Sequence, residues 1–302
     1  MDTGILLESG TNELEILEFK VGNNFYGINV AKIKEILPYK RSTPVPNAHP
    51  YIEGIFMPRD AVISVIDLAK CLNLPESDDK TLDMNIVTNF NKINVAFHVH
   101  GVIGIHRISW EDIIKPDETI NSAGHSIATG IIRLEEKLII VLDFESIISE
   151  INPETGLKVS DINGMSARSR NESPILIAED SILLNNLIME CLKKAGYCNI
   201  IATKNGLEAW NKLQEFKDSN TLDTSVKCII TDIEMPQMDG HHLTKQIKSD
   251  TQLKDLPVII FSSLVNEDMR RKGEQLGADA QLSKPEIGTL VDMVDKLIIQ
   301  RS

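Results

Sequence analysis

The sequence predicts two domains: an all-β half made of two small barrel-like units, then an α/β doubly wound (βα)5 half with a parallel sheet. Three observations carry this. Apolar and polar residues alternate with a period of two in the first half, and short apolar strands separated by helical stripes replace that pattern from Ser173 onward. Residues 152–172, NPETGLKVSDINGMSARSRNE, lose hydrophobic periodicity and are rich in Ser, Asn, Gly and charge, as linkers are. A pattern of Gly-Ile, β-run and Asp occurs twice in the first half at one spacing. The expected bounds are 11–150, a linker over 151–172, and 173–302.

The first half opens on LEILEFKVG, where Leu17, Phe19 and Val21 alternate with Glu18 and Lys20. A turn at Gly22-Asn23-Asn24 and renewed alternation at Tyr26, Ile28 and Val30 predict a hairpin. A second hairpin is expected from Asn85 to His98, turning near Asn91-Lys92. Short helical pieces are expected at AKIKEIL and DLAKCL. Gly54-Ile55 precedes Asp67, and Gly130-Ile131 precedes Asp143, with the same interval from glycine to aspartate. Each aspartate ends a β-run and leads into a short apolar segment, so the two stretches read as copies of one small barrel-like unit.

In the second half PILIA is a short buried strand. Leu183, Leu184, Leu187, Ile188, Cys191 and Leu192 then form an apolar stripe at helical spacing. Strands follow at YCNIIAT, KCIITD, LPVIIFSS and ADAQLS. Helices are expected at GLEAWNKLQEF, after Gly240, at NEDMRRKGEQLG and at the C-terminus, where Ile287, Leu290, Val291, Val294, Leu297 and Ile298 share a face. Gly273 inside the fourth helix reads as a mobile signalling face or, more plainly, as a helix break.

Composition narrows the function classes. Apolar residues make up 42% and charged residues 25%, the profile of a globular protein, and the net charge of -13 repels phosphate backbones. Neither half offers a basic stripe for nucleic acid. No stretch reaches the roughly 18 apolar residues of a membrane span, and the acidic start MDTGILLESGTNELE is unlike a secretory signal. Cys71, Cys191, Cys198 and Cys228 form no CxxC pair and read as thiols in a reducing compartment, so the cytoplasm is expected.

In a doubly wound sheet the site lies at the carboxyl ends of the strands. There stand Glu179 and Asp180 after the first strand, Asp232 after the third, Ser262 after the fourth and Lys284-Pro285 after the fifth. Clustered carboxylates repel one another unless a cation sits among them, and hard oxygen ligands suit Mg²⁺. AED, TDIEMPQMDG, FSS and SKP, in this order on these strands, resemble the response-regulator receiver domain over nearly all of 173–302. The resemblance implies that Asp232 accepts a phosphoryl group from a phosphohistidine. It further implies that Asp180, Asp232 and the Glu234 backbone carbonyl hold Mg²⁺, with Glu179 acting through its water. Lys284 and Ser262 would contact the phosphoryl oxygens, and the Lys284-Pro285 bond would be cis. Two positions depart from the pattern. Gln281 stands where an aromatic switch residue is common. Leu264, two past Ser262, cannot orient an attacking water, which implies slow loss of the phosphoryl group.

The block GIFMPRDAVISVIDL, with FYGINVAKIKEIL before it and GIIRLEEKLIIVLDF after it, resembles the CheW-type coupling domain over about residues 11–150. That family folds as two linked small β-barrels. The resemblance implies partner contact through Arg59, although Pro58 and Asp60 stand where Leu and Gly are more common; Ile55 and Phe56, read as exposed apolar residues, are interface candidates, with core packing as the other reading. The other reading of Arg59 is a surface pair with Asp60 or Asp67. A CheW-like domain followed by a receiver resembles the layout of the CheV chemotaxis adaptors. It implies an adaptor between chemoreceptor cytoplasmic tips and a CheA-type histidine kinase, recruited to receptor arrays and not itself an enzyme. The alternative is a phosphate sink that drains the kinase without changing coupling. A third reading, a metal enzyme in the first half, draws on His98, His100, His106 and Glu111. Alternation puts His98 and His100 on one partly exposed strand face with no further ligand set, which disfavours it.

Overall fold

A computed structural model of the chain describes residues 10–90, 93–116, 127–134, 136–152, 170–264, 267–284 and 286–299. The chain divides into two compact units, one spanning Leu14–Thr155 and one combining Met1–Glu13 with Gly156–Ser302. The expected linker falls largely outside the described residues. No helix among those residues is long and apolar enough to cross a membrane.

The β-rich unit contains β1 (Glu13–Val21), β2 (Asn24–Asn29), β3 (Ile33–Pro38), β4 (Ile52–Phe56), β5 (Ile63–Asp67), β6 (Met84–Phe90), β7 (Ile93–Val99), β8 (Gly101–Ser109), β9 (Ala128–Leu134) and β10 (Lys137–Leu142). Helices α1 (Leu68–Cys71) and α2 (Phe144–Ile151) follow β5 and β10. One sheet has the order β8-β1-β2-β10-β9 and the other β3-β6-β7-β5-β4. Alternation along each strand gives each sheet two apolar faces. Leu17 and Phe19 of one sheet and Ile66, Ile86 and Phe97 of the other share a core with Phe144. The opposite faces carry separate clusters, around Ile16, Ile132 and Ile139 in one sheet and around Val65, Val87 and Ala96 in the other.

The sequence echo has a structural cause. Thr43, just past β3, exchanges both backbone hydrogen bonds with Ile55 of β4, at 2.8 and 2.9 Å. Ile114, just past β8, does the same with Ile131 of β9, at 2.9 and 2.8 Å. In each sheet this bridge ties the chain leaving one edge strand to the other edge strand, as barrel closure requires. The neighbouring glycine permits the approach: a Cβ on Gly54 would stand 2.4 Å from the Thr43 carbonyl oxygen, and one on Gly130 would stand 2.4 Å from Ile113 Cγ2. Asp67 and Asp143 then cap α1 and α2, accepting from the Lys70 and Ser146 amides at 3.2 and 2.9 Å.

Both expected hairpins form, with Asn91 and Lys92 of the second turn outside the described residues. AKIKEIL is a correction. Only a 3₁₀ turn over Val30–Lys32 is helical, and the rest is β3, paired antiparallel with β6. The register shifts between Ile33 and Glu35, so Ile33 and Ile36 pack on the core shared with Phe144 while Leu37 packs on the opposite face, and together the three imitate the spacing of a helical stripe.

The other unit alternates β11 (Ile175–Ala178), α3 (Ile182–Lys194), β12 (Ile200–Thr203), α4 (Gly206–Asp218), α5 (Leu222–Ser225), β13 (Cys228–Thr231), α6 (Gly240–Ser249), β14 (Val258–Ser262), α7 (Glu267–Gln275), β15 (Ala280–Ser283) and α8 (Ile287–Ile299). The strands are parallel in the order β12-β11-β13-β14-β15. Ile175, Ile177, Ile230 and Phe261 pack beneath α3 and α8, and Leu176, Ile229 and Val258 pack beneath α4 and α6. Three details differ from expectation. Leu183 is 70% exposed, lying in the first turn of α3 ahead of its buried stripe. The short α5 carries no periodicity long enough to read. Gly273 is buried within a continuous α7 rather than breaking it.

Candidate functional site

The first strand change in the parallel sheet, between β11 and β13, sets the place for a site. β11 runs into Glu179 and Asp180, and β13 runs into Asp232. One oxygen from each of the three carboxylates lies within 4.8 Å of the others. From β15, Lys284 extends Nζ to 2.8 Å from Asp232 Oδ2 and 3.2 Å from Glu179 Oε2. The first contact is a hydrogen bond; the second is an ion pair by distance that leaves Glu179 Oε2 without a hydrogen-bond donor. Glu179, Asp232 and Lys284 are all buried.

The backbone fixes these groups from several sides. The Ile233 amide donates to Asp232 Oδ1 at 2.7 Å, which orients the carboxylate. Pro236 accepts from the Met238 amide at 2.9 Å, closing a turn, and Gly240 donates to the Ile233 carbonyl at 2.9 Å. A Cβ at Gly240 would lie 1.9 Å from the Asp232 carbonyl oxygen, so only glycine fits beneath the acid loop. Ser262 is fully buried and accepts from the Leu264 amide at 3.2 Å, while its carbonyl accepts from the Lys284 amide at 3.2 Å. Leu264 is itself buried.

Burial pushes the Glu179 carboxyl up to about 8, with Lys284 opposing the rise and Asp232 and Asp180 adding to it. Three carboxyl groups therefore share a space in which Lys284 is the cation paired to two of them. With an unsatisfied buried oxygen on Glu179, this donor set fits a hard divalent ion.

The structure thus brings together Glu179, Asp180, Asp232 and Lys284 as the sequence reading expected, with Ser262 at the neighbouring strand end. The Lys284-Pro285 bond lies outside the described residues. Two supports had no sequence signal. Asn12, in the same compact unit, donates to the Gln237 carbonyl at 2.7 Å and accepts from the Asp239 amide at 3.0 Å. Asp239 caps α6 through the His242 amide at 2.7 Å, and burial raises its carboxyl to about 6.

In the β-rich unit Arg59 is 77% exposed and pairs with Glu35 at 2.9 Å, rather than with Asp60 or Asp67. Asp67 faces inward as the α1 cap and pairs with Lys70 at 3.4 Å. Ile55 and Phe56 are half-buried, Ile55 held by the Thr43 bridge and Phe56 packed on the Val65 cluster. The exposed apolar residues beside them are Met57 and Val62, each 64% accessible. His98 is buried, against the expectation of a partly exposed face, because Glu53 and Asp83 supply partners on both ring nitrogens. His106 binds the buried Glu18 at 2.6 Å.

Residues 15–152 match the CheW-like domain family, and residues 175–295 match the response regulator receiver domain family. The chain is 30% identical over 301 residues to the chemotaxis protein CheV3 of Helicobacter pylori, covering 95% of each chain. It is 28% identical over 309 residues to CheV2 of the same organism, again covering 95% of each. The chemotaxis protein CheW of Treponema pallidum aligns with 28% identity over 141 residues, which is 45% of this chain and 83% of that one. A CheW-like domain joined to a receiver domain, matched along almost the full length of these relatives, places this chain in the CheV family of chemotaxis proteins.

Proposed function

We propose that this chain is a chemotaxis adaptor whose first domain, over about 11–150, couples chemoreceptor cytoplasmic tips to a CheA-type histidine kinase, and whose receiver, over 173–302, regulates that coupling through phosphorylation of Asp232. The observation that carries the reading is the Lys284–Asp232 contact of 2.8 Å within a cluster of three carboxylates, on a chain that also holds a CheW-like domain. Coupling acts in the cytoplasm at receptor arrays, and the chain has no catalytic role beyond handling its own phosphoryl group.

In the transfer, an Asp232 carboxylate oxygen attacks the phosphorus of a phosphohistidine. A P–O bond forms, the P–N bond breaks, and the product is an acyl phosphate on Asp232. Lys284 Nζ, already against Asp232 Oδ2, offsets charge on the transferred oxygens. The Ile233 amide holds the other carboxylate oxygen, Oδ1, and so leaves Oδ2 as the reacting atom. Ser262 Oγ accepts from the Leu264 amide and would donate its O–H to a phosphoryl oxygen, linking the state of the site to Leu264 beyond β14. Asp180, Asp232 and the Glu234 backbone carbonyl would hold Mg²⁺, with Glu179 acting through its water, and the ion when bound would neutralise charge on the phosphoryl oxygens. Arg59, Ile55 and Phe56 belong to the partner face.

The test is label uptake from a phosphorylated CheA-type kinase by wild type and Asp232→Asn, with binding of each to receptor–kinase complexes measured in parallel. Label on wild type alone, with altered binding, is expected. Label without altered binding would support the phosphate-sink reading instead, and no label would remove the receiver from the function.

A further inference from the structure

The second sheet of the β-rich unit holds a group of ionisable side chains apart from the receiver site. Asp67 of β5 lies in register with His98 of β7, and Asn85 of β6 lies opposite the same histidine. Cross-strand partners project to one face of a sheet, so these three side chains share the face that carries Val65, Val87 and Ala96. Glu53 of β4 and Asp83, just ahead of β6, complete the group. His98 Nδ1 is 2.8 Å from Glu53 Oε2, and Nε2 is 2.9 Å from Asp83 Oδ2. Asp67, Asp83, Asn85 and His98 are all buried.

We propose that His98 Nδ1, Glu53 and Asp67 bind a divalent transition-metal ion of the zinc class, with Asp83 holding the imidazole from its other nitrogen.

Three observations carry this. Ligand atoms of Glu53, Asp67 and His98 all lie within 4.8 Å of one another, a spacing one ion can bridge. Asp83 accepts from Nε2 on the far side of the ring, and metal-binding histidines commonly donate their second N–H to a carboxylate in this way. Finally, Glu53 also lines an open pocket of about 370 Å³ with Tyr39, Arg41, Ser42, Pro44 and Lys80, which gives the cluster a route to solvent and room for an exchangeable ligand.

The donor set selects the metal. A hard ion such as Mg²⁺ prefers oxygen and keeps its waters, whereas imidazole nitrogen beside carboxylates suits Zn²⁺ and its first-row neighbours. The remaining ring contacts keep the donors rigid: Tyr39 stacks on His98 with centroids 4.2 Å apart, and its hydroxyl donates to Glu53 Oε1 at 2.6 Å. Lys70 pairs with Asp67 at 3.4 Å and is partly exposed, so it can swing away when an ion takes that carboxylate.

The experiment titrates the full-length chain with Zn²⁺ in millimolar Mg²⁺, which competes for the receiver carboxylates, and reads stoichiometry and affinity by calorimetry. Wild type and Asp180→Asn should each bind one equivalent with like affinity. His98→Gln should lose at least about 100-fold, and Asp83→Asn about 10- to 100-fold with the stoichiometry kept. Circular dichroism checks that each variant is folded. If His98→Gln is not, Glu53→Gln and Asp67→Asn carry the same expectation, and zinc-induced shifts of the His98 ring nitrogens in NMR report the site in wild type. Zinc binding unchanged in the folded cluster variants, lost in Asp180→Asn, or absent in wild type would overturn the proposal.

Discussion

The side-chain amide of Gln281 lies where a side chain on Gly273 would have to be: a Cβ built there would stand 2.5 Å from Gln281 Cδ and Oε1. Gln281 Nε2 donates to the Arg270 carbonyl at 2.6 Å, so β15 is pinned to α7 at the position where receivers often carry an aromatic switch. Glycine in mid-helix costs about 1 kcal/mol relative to alanine, and here it clears space for this contact. Gly273→Ala should gain that propensity but displace the amide, losing about 1 kcal/mol of hydrogen bonding, and so stay within about 0.5 kcal/mol of wild type. In a Gln281→Ala background the same change should stabilise by about 1 kcal/mol. A double-mutant cycle by urea unfolding, followed by fluorescence of Trp210, measures the difference, and additive effects would contradict the packing argument.

Two buried neighbours in the receiver give opposing pH dependences. Burial, with Lys272 adding to it, lowers the His241 imidazole from 6.5 to about 4, so His241 stays neutral in the folded state while the unfolded chain takes up a proton. Its stabilising contribution is present above pH 6.5 and is lost as pH falls toward 4, by at most on the order of 3 kcal/mol. Asp239 is raised from 3.8 to about 6 by burial, against the His242 amide and charge. Its contribution is present below 3.8 and is lost as pH rises through 6. His241→Gln should therefore flatten the loss of stability on acidification, and Asp239→Asn, which keeps an α6 cap, should flatten the loss on approach to neutrality. Receiver stability measured from pH 4 to 7 in both variants checks the signs separately.

The receiver was legible because each of its chemical groups sits at a strand end, where four short motifs fix both identity and place. Asp232 and Lys284 come from β13 and the end of β15, yet topology alone brings them to 2.8 Å. The β-rich unit was less so. A bulge between Ile33 and Glu35 disguised β3 as a helix, since periodicity assumes an unbroken pleat. The cluster on His98 draws Glu53 from β4, Asp67 from β5 and Asp83 from just ahead of β6, and no local spacing marks residues that meet only through pairing register. Asn12 meets Asp239 across an even longer separation, again with no local signature.

The repeated Gly-Ile pair gives a graded test of barrel closure. At Gly54 the obstacle to a Cβ is the Thr43 backbone carbonyl, whereas at Gly130 it is a methyl group of the Ile113 side chain. Backbone cannot turn aside without breaking the Thr43–Ile55 bridge, but a side chain can change rotamer. Gly54→Ala should cost about 3 kcal/mol and Gly130→Ala about 1 kcal/mol, the upper and lower parts of the overpacking range. Unfolding of the β-rich unit followed by Trp110 in a Trp210→Phe background isolates the effect, because a two-domain chain need not unfold in one step. Equal costs would mean that the two closures are not limited by these contacts.

Lys284 offers the last test, because it ties stability to the chemistry of the site. It is buried, bonded to Asp232 and ion-paired with Glu179, so its removal leaves two buried carboxylates facing each other. Breaking a buried pair by deleting one partner typically costs about 3–5 kcal/mol. Lys284→Ala should accordingly destabilise the receiver by about 3 kcal/mol in metal-free buffer, less whatever Glu179 recovers by holding a proton in the low-dielectric site. Added Mg²⁺ should then stabilise Lys284→Ala more than it stabilises wild type, since the ion replaces charge that the variant has lost. Label uptake from a phosphorylated kinase should still fall by at least about tenfold, because the ion cannot also take the place of Nζ against Asp232 Oδ2. Thermal unfolding with and without Mg²⁺, beside uptake rates, separates the two roles. Equal Mg²⁺ stabilisation of both proteins would show that lysine and cation do not share the same carboxylates.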